Sequence, residues 1–131
     1  ASESMRLFGA GFTLSTADID AMAEAYLGPD GDPTHPWVSP LLAKRLGGLP
    51  PALILTAQFD PLRDDAEAYG ARLRAAGVEA EVRRFDGAVH GFLFSPDDRD
   101  DAHAITVASL QRAFADPHWA PPREPLPVKL R

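Results

Sequence analysis

A chain of 131 residues, 45% hydrophobic and 24% charged, has the size and composition of one soluble globular domain with a modest core. Its net charge of −6 disfavours nucleic acid and anionic membrane as partners. The chain has no cysteine, which excludes disulfides, thiolate catalysis and Cys-ligated zinc, and no apolar run approaches the ~20 residues that span a bilayer.

Ala1-Ser2-Glu3-Ser4 does not have the form of a signal peptide, and residues 1–14 read as irregular. Ser15-Thr16-Ala17-Asp18 is a helix start, with a hydroxyl cap and an acid three residues on. Ile19, Met22 and Tyr26 then form one apolar face, and Gly28-Pro29 ends the helix. Residues 28–51 carry Pro29, Pro33, Pro36, Pro40, Pro50 and Pro51. They predict a long loop with a short helical turn at Leu41–Leu46. A loop this long inside a compact domain needs a surface to be pinned against.

Ala52–Ala57 is continuous and apolar, bounded by Pro51 and the Asp60-Pro61 turn. That pattern predicts a strand buried on both faces, as in a parallel sheet. Leu62, Ala66, Tyr69, Leu73 and Ala76 then recur at helical spacing. Asp64 and Asp65 fall in the first turn, where negative charge suits the helix dipole, and Gly77 ends the helix. Val78, Ala80 and Val82 alternate with Glu79, Glu81 and Arg83. This predicts a half-exposed strand over Val78–Phe85, near a sheet edge.

Asp86–Phe94 reads as a loop. Ser95-Pro96-Asp97-Asp98 leads into a second long helix, with His103, Val107, Leu110 and Phe114 as its stripe and Asp116-Pro117 as its stop. The acidic run Asp97–Asp101 lacks the alternating ligands and glycine of a calcium loop, and reads as a solvated helix start. Pro117, Pro121, Pro122, Pro125 and Pro127 make the remaining tail extended or disordered.

The order α, loop, β, α, β, α defines an α/β chain built on one right-handed parallel crossover. Two strands are too few for independent stability. The first strand, apolar on both faces, calls for a parallel neighbour that the sequence does not offer.

Catalytic groups in open α/β sheets lie beyond the carboxyl ends of strands. Asp60 and His90 both fall there. Spacing alone leaves each open to a plainer role: Asp60 as a helix cap, His90 as a loop histidine. His35, His103 and His118 have no partner pattern, and no metal-ligand spacing is present.

Leu53–Asp65 (LILTAQFDPLRDD), Tyr69–Gly77 and Arg83–Phe92 (RRFDGAVHGF) resemble the C-terminal half of bacterial esterases of the hormone-sensitive-lipase family. Val38-Ser39-Pro40-Leu41, upstream of Leu49-Pro50-Pro51, adds to the likeness, which covers residues 5–115. The resemblance implies the C-terminal part of an α/β-hydrolase: two parallel strands with flanking helices in an incomplete sheet. It implies Asp60 as the triad acid, His90 as the triad base and a small acyl ester as substrate, with no cofactor and no metal. Residues 1–28 become a cap-like segment and helix, 29–116 the β–α–β–α part, and 117–131 the proline-rich tail. Phe8, Phe12 and Met22 suit either an acyl pocket or cap packing.

The family's Gly-x-Ser-x-Gly nucleophile and His-Gly-Gly oxyanion motif do not occur. Ser2, Ser4, Ser15, Ser39, Ser95 and Ser109 lack that context. With one edge of the first strand unpaired, the expected partner is the N-terminal half of the hydrolase or a second copy, and the expected location is cytoplasmic. The chain alone is expected to be inactive. The alternative is a truncated hydrolase module that serves as an association or structural unit.

Overall fold

A computed structural model describes residues 1–95 and 99–115. The expected stop at Asp116-Pro117, the tail 117–131 with His118, and Pro96–Asp98 lie outside the described residues. Among the described residues six helices and strands follow one another: α1 (Glu3–Phe8), α2 (Thr16–Leu27), β1 (Ala52–Phe59), α3 (Arg63–Ala75), β2 (Ala80–Val89) and α4 (Arg99–Ala115). Short 3₁₀ turns sit at Pro40–Leu42 and Phe92–Phe94.

β1 and β2 pair in parallel, from Ala52 beside Ala80 to Ala57 beside Phe85. Successive strand side chains point to opposite faces, and each face of the pair meets a helix. Ala52 and Ile54 pack with Leu73, Val78 and Leu46 on the α3 side. Leu55 and Ala57 pack with Ala88, Phe92 and Ala102 on the α4 side. α3 lies close because Gly70 has no side chain. A Cβ there would stand 2.5 Å from Val82 Cγ2 and 3.2 Å from Ile54 Cδ1.

The strand–helix–strand core and the helix begun at Ser15 follow the sequence reading. Ser15 Oγ accepts the Asp18 N–H, and the Asp18 carboxylate accepts the Ser15 N–H, a complete capping box. The Ser15 hydroxyl, which also donates to the carboxylate at 2.6 Å, and after it the Ser15 N–H hold the Asp18 carboxyl below its ordinary value. The 28–51 loop is pinned as expected. The Arg72 guanidinium donates to the Leu41 and Ala43 carbonyls, and Leu46 is buried against Leu73 and Val78.

Six local expectations are corrected. Residues 1–14 are not wholly irregular, since α1 forms within them. Its six residues are too few to show a period, and tertiary bonds at Ser4 hold it. The turn at 41–46 is confined to Pro40–Leu42, where Pro40 supplies the fixed φ.

β2 starts at Ala80, not Val78. The Val78 N–H reaches back to Leu73 O at 3.0 Å and the Gly77 N–H to Arg74 O at 3.0 Å, with Gly77 at φ +79°. This is a Schellman helix end, whose apolar contact is Val78 against Leu73. The same strand runs on to Val89, through residues expected to be loop.

The expected stripe on α4 faces outward: Val107 is 51% and Leu110 49% exposed. The smaller residues on another face lie closer to the sheet, with Ala102 fully buried and Thr106, Ser109 and Ala113 half-buried. The Ile19, Met22 and Tyr26 face of α2 is likewise largely uncovered, with Tyr26 77% exposed and no residue of the helix buried. No helix among the described residues is long and apolar enough to cross a membrane.

Candidate functional site

The sheet brings two polar side chains together at the carboxyl ends of adjacent strands. Asp60 follows β1 and is buried; His90 follows β2 and is half-buried. His90 Nδ1 lies 2.9 Å from Asp60 Oδ2. The other carboxylate oxygen, Oδ1, accepts the Leu62 N–H at 2.8 Å. Asp60 therefore ties down the turn ahead of α3 with one oxygen and meets an imidazole with the other, while the N-cap of α3 itself is Leu62, which makes no side-chain cap bond. The bond to Nδ1 leaves Nε2 as the ring nitrogen for a further partner.

His90 is anchored on both sides. Its carbonyl accepts the Thr13 hydroxyl at 2.8 Å. Gly91 follows at φ +84°, a left-handed conformation that side chains resist. It turns the chain so that Phe92 is buried against Phe85, ring centroids 4.7 Å apart.

The acid's loop is braced by α1. The buried Ser4 hydroxyl donates to Pro61 O at 2.8 Å, the Ser4 N–H donates to Asp64 Oδ2 at 2.7 Å, and the Asp64 N–H donates back to Ser4 Oγ at 3.1 Å. Burial works against the ionised Asp64. The Ser4 bonds and the hydrogen bond and charge of Arg63 outweigh it and hold the carboxyl below its ordinary value. Arg63 also donates to Gln58 O at 2.8 Å and stacks over the Phe8 ring at 5.1 Å.

Beside this pair, Phe8, Phe12 and Phe59 form an aromatic cluster. Phe12 stacks on Phe59 at 5.6 Å, and Phe8 meets both edge-on. The two N-terminal phenylalanines are thus within the packing at the end of β1, while Met22 lies exposed on α2. Of the other histidines, His35 accepts the Trp37 N–H in the 28–51 loop and His103 is exposed on α4. Among the described residues no group of three or more His, Asp or Glu side chains is placed to hold a metal ion.

The sequence reading passed over Ser4, Thr13, Gln58 and Arg63, all of which bond to the segments that carry the pair. Gln58 and Arg63 stood in a stretch the reading had quoted, Leu53–Asp65, and Ser4 and Thr13 did not.

A parallel strand–helix–strand crossover with helices on both faces places the chain among the α/β proteins. A family model described as the alpha/beta hydrolase fold matches residues 1–94, and the chain belongs to that family, as one of its hormone-sensitive-lipase-like members.

The carboxylic ester hydrolase LipN of Mycobacterium tuberculosis is 52% identical over 93 residues, 70% of this chain and 25% of that protein. The arylesterase of Saccharolobus solfataricus is 41% identical over 115 residues, 87% of this chain and 38% of that protein. A thermostable esterase from Pseudomonas putida superposes with a TM-score of 0.80 at 30% identity, over 93% of this chain and 39% of that one. The chain thus spans between 25% and 39% of the length of these relatives.

Proposed function

We propose that this chain carries the acid and base of a serine carboxylesterase whose nucleophile comes from another segment or chain. The observation that carries the reading is the 2.9 Å bond between His90 Nδ1 and Asp60 at neighbouring strand ends. With Nδ1–H directed at the carboxylate, the ring presents Nε2 as a base. Nε2 takes the proton of the serine hydroxyl as it attacks the acyl carbon, then gives it to the departing alcohol. The same nitrogen later activates the water that releases the acid. Asp60 fixes the tautomer and stabilises the imidazolium.

The substrate is a small, apolar acyl ester, in keeping with relatives named as arylesterase and carboxylic ester hydrolase. Neither step calls for a cofactor. Residues 1–28 serve as the cap-like segment, 29–116 as the β–α–β–α part and 117–131 as a tail. The setting this reading assigns is the cytoplasm.

The partner that completes the site in this reading is the N-terminal half of a hydrolase; a second copy covers the open strand edge but brings no nucleophile. The test is to join the N-terminal portion of the Saccharolobus solfataricus arylesterase to this chain and assay p-nitrophenyl butyrate. Turnover that His90→Ala abolishes supports the proposal. Turnover untouched by both His90→Ala and Asp60→Ala sinks it.

A further inference from the structure

Along most of the sheet the register is constant, ending with Ala57 beside Phe85. Continued unchanged, it would set Asp60 beside Ala88. Pairing instead resumes with Phe59 beside Val89, and His90 arrives at Asp60. The slack is taken up by Asp86, Gly87 and Ala88, which together oppose the single residue Gln58. Gly87 sits at φ +81°, while Ala88 turns into the core.

One side chain spans this irregularity. Gln58 Oε1 accepts the Gly87 N–H at 2.7 Å. The backbone carbonyl of the same residue accepts the Arg63 guanidinium at 2.8 Å. Gln58 is therefore tied to the loop of the base through its amide and to the loop of the acid through its main chain.

We propose that Gln58 is a positioning residue that holds the Gly87 bulge and thereby sets His90 in register with Asp60. The proposal deepens the esterase reading and rests on it for its effect on turnover, but its geometric content stands apart. Bulges beside active sites commonly re-aim a side chain. Here a surface amide locks the bulge. Both Gln58 and Gly87 reach solvent, so loss of the bond leaves no buried orphan group, and its consequence is positional.

The test compares Gln58→Leu, which removes the acceptor, with Gln58→Glu, which keeps one. In the joined esterase, with p-nitrophenyl butyrate as substrate, Gln58→Leu should lower kcat roughly 10- to 100-fold, the scale of a displacement near 1 Å, with KM unchanged. Gln58→Glu should restore most of it. In the same joined protein, the Gly87 amide should exchange faster in Gln58→Leu and stay protected in Gln58→Glu. The downfield proton resonance of His90 Nδ1–H should be lost in the first and kept in the second.

Wild-type Gly87 protection and an intact His90 resonance in Gln58→Leu would overturn the proposal, as would equal losses in both variants. Should His90→Ala leave turnover unchanged, the esterase reading falls, and the two resonance measurements still decide the role of Gln58.

Discussion

At the scale of single residues, Asp60 and His90 should behave as one unit. In the joined esterase Asp60→Asn should lower kcat by about 10⁴-fold, since an amide no longer selects the tautomer that presents Nε2. His90→Ala should do at least as much, and the double variant little more, because residues that act together are not additive. Steady-state kinetics on the three variants checks this. Both residues were visible because they stand in the Asp-Pro-Leu-Arg-Asp and His-Gly-Phe runs that carry the family likeness; spacing alone left a helix cap and a loop histidine open. Gln58 and Ser4 were not. Their bonds reach 29 and 60 residues away, and a polar side chain carries no local mark of so distant a partner.

At the scale of elements, the α3–sheet contact is the sensitive one. Gly70→Val would drive side-chain carbons into Val82 and Ile54. Overpacking of this kind costs about 1–3 kcal/mol, so a thermal melt of the variant should shift down by several degrees. Thr56, Glu67 and Arg84 join α3 to both strands. The Thr56 hydroxyl donates to Glu67 at 3.0 Å, and Arg84 pairs with it at 2.5 and 2.8 Å.

The Arg84 hydrogen bond, against the opposing effect of burial, holds Glu67 below its ordinary value of 4.5, with the Thr56 bond helping. Glu67 thus binds its proton more readily when unfolded. Its contribution is complete above pH 4.5 and lost as pH falls through the lower folded value. Glu67→Gln should flatten the acid limb of the stability–pH curve below 4.5 and leave its shape at neutral pH unchanged, as read by urea melts across pH.

Elements with a full period or a cap were legible: α3 by its stripe, α2 by Ser15 and Asp18. α1 was not, being shorter than two turns and held by Ser4. On α4 two faces satisfied helical spacing. Residue size, which lets Ala102 approach the sheet, decided between them where hydrophobicity did not.

At the scale of the molecule, the described strands form a two-stranded sheet with β1 paired on one side only. The other edge presents unpaired backbone groups that template a further strand, and α4 adds Val107 and Leu110 as exposed apolar surface. The chain should therefore be stable only against another polypeptide. Analytical ultracentrifugation of the isolated chain should show self-association or aggregation. A 14.1 kDa monomer that melts cooperatively above ~45 °C, the low end for mesophile domains, would remove the physical basis of this expectation. The isolated chain should also hydrolyse no p-nitrophenyl ester above background, and turnover abolished by His90→Ala in that material would overturn it.

The two ends of the polar pair lie 30 residues apart within a single crossover. Closing a chain segment of that length is entropically cheap: each doubling adds only about 0.6 kcal/mol. During synthesis at roughly 5–20 residues per second, the imidazole is made within a few seconds of the carboxylate it will meet. Their contact therefore belongs to the earliest non-local pairing open to this segment. The contact comes with the pairing of β1 and β2, and lasts only once a further part of the sheet supports a pair of strands too few to stand alone.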